Sequence, residues 1–88
     1  MDDLLRRLQA EARDAHAWSN GPGYRYGTHD HAYTKILYCV EGSIDFFVED
    51  ESDTIHLDPG DRMELPARTR HAALVGSRGV TCVEGKRP

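Results

Sequence analysis

His29 and His31 stand two positions apart between Gly23 and Gly42, and a third histidine, His71, follows 40 residues later behind Gly60 and Pro66. Alternate side chains of an extended strand share a face, so residues 29 and 31 project together, and His71 can reach them from a neighbouring strand. Three convergent imidazole nitrogens suit a divalent transition metal, and Zn, Fe, Ni, Mn and Cu all accept such donors. Three neutral ligands also leave coordination positions open to water or substrate, as catalytic sites do. The bland alternative is a set of histidines hydrogen-bonded in a polar mouth. His16 and His56 fall outside this spacing and are expected in solvent. Tyr33 shares parity with His31 and can aim its hydroxyl at a ligand, although packing across strands is the commoner use of tyrosine.

The elements that must hold these residues can be read from the pattern of apolar positions. Leu4, Leu5, Leu8, Ala12 and Ala15 recur at helical spacing behind Asp2 and Asp3, which can cap the amino end, so a helix is expected over about 3–17. Trp18 then anchors the helix at its junction with the first strand. Ser19 to Gly23 ends any helix, because glycine and proline at that density favour turns. After Tyr24 the segments are short, β-branched or aromatic. Turn residues separate them at Glu41 to Ser43, Glu49 to Asp53, Asp58 to Asp61, Pro66 to Thr69 and Gly76 to Gly79. Ile44, Phe46 and Val48, Ile55 and Leu57, and Met63 and Leu65 alternate with Asp45, His56 and Glu64, which places the latter toward water. Phe47 falls on the outer face and is a natural contact for a second copy.

With 88 residues the interior is small, and a partner subunit is expected to add burial. Acidic residues outnumber basic ones, 15 to 11, and the net charge of −4 offers no basic stripe for nucleic acid or an anionic membrane. No apolar run reaches the roughly 20 residues of a membrane span, and the acidic Met1-Asp2-Asp3 start lacks the character of a secretion signal. A cytoplasmic protein is expected. Cys39 and Cys82 lie in apolar segments without CxxC spacing and read as reduced core residues, able to meet only if their strands are neighbours.

Two motifs make the chain recognisable: it resembles the cupin superfamily. The first cupin motif is met at Gly23, His29, His31 and Gly42, and the second at Gly60, Pro66 and His71. Lys35 stands where the first motif has glutamate, and Arg68 and Val75 where the second has glycine and asparagine. The resemblance implies an all-β fold, a small double-stranded β-helix or jelly-roll barrel with one N-terminal helix. It also implies a single domain over 1–88, with the barrel over about 24–85. It further implies a metal held by His29, His31 and His71, without the family's carboxylate. Some three-histidine iron sites among cupins keep their metal without that glutamate. Arg68 at the motif's glycine implies a turn without an obligatory positive φ.

An ammonium about 5 Å from a dication would be repelled by roughly 6–7 kcal/mol at an effective dielectric near 20. The cheapest resolution is for the flexible Lys35 stem to swing its amine to a carboxylate; the alternatives are loss of its proton or a metal-free site. The implied functions are a metal-binding cupin of unassigned activity, a non-catalytic module for a small anionic ligand, and a metal-dependent oxygenase or isomerase. In the second, Lys35, Arg68 and Tyr33 would meet the ligand, as in the barrels of sugar-responsive regulators. A small-molecule ligand and homodimerisation are the expected partnerships, and no general base stands out.

Overall fold

The computed structural model describes residues 2–49 and 53–87. Among these, one helix, α1 (Asp2–Glu11), precedes six strands: β1 (Arg13–Asn20), β2 (Arg25–His29), β3 (Lys35–Val48), β4 (Asp53–Leu57), β5 (Arg62–Leu65) and β6 (His71–Lys86). The two longest strands, β3 and β6, pair antiparallel from Lys35↔Lys86 at one end to Val48↔His71 at the other. β6 takes β2 along its first half and β1 along its second, while β3 takes β5 and then β4. The fold is all-β apart from its helix, and the turn expected at Glu49 to Asp53 lies largely outside the described residues.

The central ribbon changes its inward face halfway along. Leu37 and Cys39 face the main core before the register shifts near Gly42, and Ile44, Phe46 and Val48 face it afterwards. Gly42 has φ 74°, and a Cβ there would lie 1.9 Å from the Gly79 carbonyl oxygen, so only glycine lets the two strands approach this closely. The alternation also holds in the short strands. Leu57, Met63 and Leu65 are buried and His56 and Glu64 exposed, while Phe47 is 38% exposed on the outer face.

The first half of β3 is buried on both sides. Its outward residues Ile36 and Tyr38 join Val83 and the helix residue Leu8 in a second cluster, against which Leu4 and Leu5 pack. Truncation of the fully buried Leu8 to alanine would cost about 2–5 kcal/mol. Tyr38 donates its hydroxyl to Glu11, which also receives Arg62 at 2.6 Å, tying the last helical turn to the sheet.

The helix is shorter than its apolar spacing predicts. It ends at Glu11, and residues 13–20 form β1 along the edge of β6. Ala12 and Ala15 still pack on the helix cluster, so the alanines satisfy one apolar surface from either conformation. Hydrogen bonding to the open edge of β6 decides for strand, with Asp14 at φ 55° marking the change. Trp18 consequently lies within β1, opposite Cys82, and does not anchor the helix. Cys39 and Cys82 oppose each other across β3 and β6, both free and buried. Burial pushes the Cys82 thiol up to about 12, the behaviour of an inert core thiol.

Candidate metal centre

Strand β2 ends at His29, which registers opposite His71 at the start of β6. His31 is not on that strand but on the connection to β3. Two backbone donors from the 66–69 turn hold this connection: Arg68 N–H reaches the His31 carbonyl at 2.7 Å, and Ala67 N–H reaches Thr34 Oγ1 at 3.2 Å. Arg68 has φ 65°, so the motif's left-handed turn persists without its glycine, contrary to the expectation from sequence. The reason is a tertiary bond: this conformation aims the Arg68 N–H at the His31 carbonyl.

The three imidazoles converge. Ring centroids lie 4.9 Å apart for His29 and His31, 4.4 Å for His29 and His71, and 5.4 Å for His31 and His71. One ring nitrogen from each lies within 4.8 Å of the others. His29 Nδ1 is 2.6 Å from the Gly27 carbonyl and His71 Nδ1 is 2.9 Å from that of Thr69. A carbonyl only accepts, so each Nδ1 carries the proton and each Nε2 keeps its lone pair. Nε2 of His31 and of His71 are both buried without a hydrogen-bond partner. A buried ring nitrogen left without a partner costs about 1–3 kcal/mol, and a metal ion would satisfy both. The donor set therefore fits a divalent ion.

Burial holds His31 below the usual histidine range, with the Lys35 ammonium adding to the effect. His71 is lowered mainly by burial, against the opposing hydrogen bond to Thr69. Both shifts favour the neutral ring that ligation requires.

The triad forms one wall of a cavity of about 260 Å³. Trp18, Tyr26, Phe46 and Ala73 supply its apolar lining, and Lys35 and Glu84 its charged end. Lys35 is 7% exposed, with Nζ 3.5 Å from Glu84 Oε1, so the lysine does turn to a carboxylate. The same oxygen accepts the Trp18 indole N–H at 2.7 Å.

Glu84 and Trp18 are among the cavity residues that the sequence reading missed. Parity along β6 carried the signal for Glu84, since Val80 and Cys82 face the main core and Glu84 continues their row. Tyr33 and Arg68 do not line the cavity. The Tyr33 ring lies against His31 at 5.1 Å under the Lys86 ammonium, and the Arg68 side chain is 73% exposed, 3.8 Å from Asp30. His16 and His56 are solvent-facing, as expected.

No family model matches the chain. Quercetin 2,3-dioxygenase of Bacillus subtilis (strain 168) is 33% identical over 82 residues, and the match takes in 85% of this chain and 24% of that protein. The chain thus spans about a quarter of the length of this curated relative. An RmlC-like cupin from Shewanella frigidimarina NCIMB 400 superposes with a TM-score of 0.72 at 23% identity, over 84% of this chain and 64% of that one. DMSP lyase DddQ from Ruegeria pomeroyi DSS-3 gives 0.76 at 24% identity, over 84% and 37%. KdgF from Halomonas sp. gives 0.69 at 22%, over 84% and 67%. These structures share the fold, and the likeness to the dioxygenase extends to sequence. With both histidine motifs meeting in one hollow, the chain has the cupin fold and resembles the cupin superfamily in its motifs.

Proposed function

We propose that the chain binds a divalent transition metal through Nε2 of His29, His31 and His71. The observation that carries this reading is the pair of buried, unpartnered Nε2 atoms on His31 and His71. The Nδ1 protons that the Gly27 and Thr69 carbonyls hold in place keep Nε2 of His29 and His71 available as acceptors. Zn, Fe, Ni, Mn and Cu are all compatible with three imidazoles. A bound ion would supply Lewis acidity at an open coordination position facing the cavity.

The chain's own residues complete the arrangement. Lys35 sits beside Glu84 instead of intruding on the triad, Trp18 fixes that carboxylate, and Phe46 and Ala73 help exclude water. A single domain and a cytoplasmic homodimer go with this reading. Two reduced thiols suit a reducing compartment, and Phe47 offers an apolar contact for a second copy. Among the described residues no helix is long and apolar enough to cross a membrane.

Elemental analysis of protein refolded with each ion in turn tests the proposal. Close to one ion per chain is expected for at least one metal, and His71→Ala should lose it. Metal content that is negligible for every ion, or unchanged in His71→Ala, would overturn the assignment.

A further inference from the structure

Lys35 is a buried ammonium with an incomplete set of partners. Its nearest carboxylate oxygen, Glu84 Oε1, is 3.5 Å away, well beyond the 2.7–2.9 Å of a charge-assisted hydrogen bond. The same oxygen already accepts the Trp18 indole N–H at 2.7 Å. An ammonium has three N–H donors, and a buried charge is normally both paired and hydrogen-bonded. Here the pairing is loose, and Lys35 lines a cavity. An acceptor supplied from outside would complete the set.

The rest of the cavity says what that acceptor is attached to. Its volume of about 260 Å³ corresponds to roughly nine waters at about 30 Å³ each, enough for a ligand of about ten non-hydrogen atoms. Beside the lysine the wall is aromatic and aliphatic, with the Trp18 indole, the Tyr26 ring set edge-on to it at 5.8 Å, Phe46 and Ala73. Lys35 offsets Glu84, the carboxylate among the lining residues, so one added anion meets no net repulsion. A compact inorganic anion would leave the apolar wall uncovered.

We infer that Lys35 and the Trp18 and Phe46 wall form a subsite for a small organic monocarboxylate, its carboxylate on the ammonium and its apolar body against the rings. The subsite shares the cavity with the proposed metal position but does not require a bound ion.

Trp18 is the chain's one tryptophan, so its fluorescence reports on this wall directly. Full-length protein, metal-free and zinc-loaded, is titrated with benzoate, benzamide and inorganic phosphate. Benzoate should give a saturable change in both forms and bind about tenfold or more tightly than benzamide, and phosphate should give none. Lys35→Met should bring benzoate and benzamide to within about twofold of each other. Glu84→Gln, which removes the competing carboxylate and keeps the indole's acceptor, should tighten benzoate and gives a second variant should Lys35→Met not fold.

Equal binding of acid and amide by the metal-free wild type, a preference for acid that survives in metal-free Lys35→Met, or no response of the metal-free protein to benzoate at millimolar concentration would each overturn the inference. Metal content measured on the same samples separates the two readings. An empty triad with the acid preference intact removes the metal proposal alone, and a loaded triad without that preference removes the subsite alone.

Discussion

The backbone N–H of Arg68 donates to the carbonyl of His31 at 2.7 Å, so a turn that has lost its motif glycine still fixes one of the three imidazoles. The strain sits in Arg68 at φ 65°, where a side chain bearing a Cβ costs about 1–2 kcal/mol. Arg68→Gly keeps the donor and relieves the strain. It should raise stability by up to about 1 kcal/mol, or about 4–8 °C in Tm, and leave metal affinity unchanged. Arg68→Pro removes the donor and should weaken metal binding. Thermal unfolding and metal titration of the two variants check this, and a destabilised glycine variant would contradict it.

His71 carries a conflict between stability and binding. Its Nε2 is buried and unpartnered while the side chain is 1% exposed. His71→Leu removes the orphaned acceptor, together with the Nδ1 bond to Thr69. In the presence of a chelator its stability in urea should equal or exceed that of the wild type by up to about 2 kcal/mol. Metal binding should be lost in the same variant. A metal-free protein destabilised by several kcal/mol would show that the ring is needed for packing alone.

His56 gives the fold a pH dependence remote from the cavity. Hydrogen bonds to Asp45 at 2.5 Å and Asp58 at 2.9 Å raise its pKa above the ordinary histidine value. A raised folded-state pKa contributes stability that is complete below the unfolded value, about 6.5, and is lost as pH rises through the folded one. The wild type should therefore exceed His56→Gln in stability at about pH 5.5, and the two should converge near pH 9. A gap that widens toward alkaline pH would reverse the sign and refute the account.

Gly42→Ala should be among the most damaging single-methyl changes. The new Cβ would meet the Gly79 carbonyl oxygen at 1.9 Å at a backbone φ of 74°, and backbone cannot step aside as a side chain can. A loss of about 3 kcal/mol or more is expected, most of the stability of a domain this small. Gly27→Ala has nothing within 4 Å of the new methyl and serves as the control. Circular dichroism in urea separates the two, and equal behaviour would refute the close approach.

The sequence was most informative where chemistry is local. The histidine spacing located the triad, and alternation in β3 and β5 placed Phe46, Met63 and Leu65 inside. It was least informative where a distant partner decided the outcome. The end of α1 was unreadable because Ala12 and Ala15 suit a helix or a strand, and only the unpaired edge of β6 chose between them. The Arg68 turn was misread because glycine preference describes intrinsic cost, whereas the His31 carbonyl supplies a compensating bond from another segment. Lys35 turned to a carboxylate as its chemistry required. Identifying that carboxylate as Glu84 needed the β3 and β6 register, which sets Lys35 against Lys86 and Leu37 against Glu84.

The β3 and β6 ribbon places His71 beside Val48 at one extremity and Lys35 beside Lys86 at the other, yet His71 and Lys35 border the same hollow. From Lys35 to Val48 is 13 steps, roughly 43 Å if straight at about 3.3 Å each. The hollow therefore exists only once the ribbon has doubled over at Gly42 and Gly79. An ion or acid lodged there would act as a latch on that doubling, resisting the opening of the whole chain and not merely of one loop. Amide exchange at the far tips of the ribbon would slow together when the latch is set.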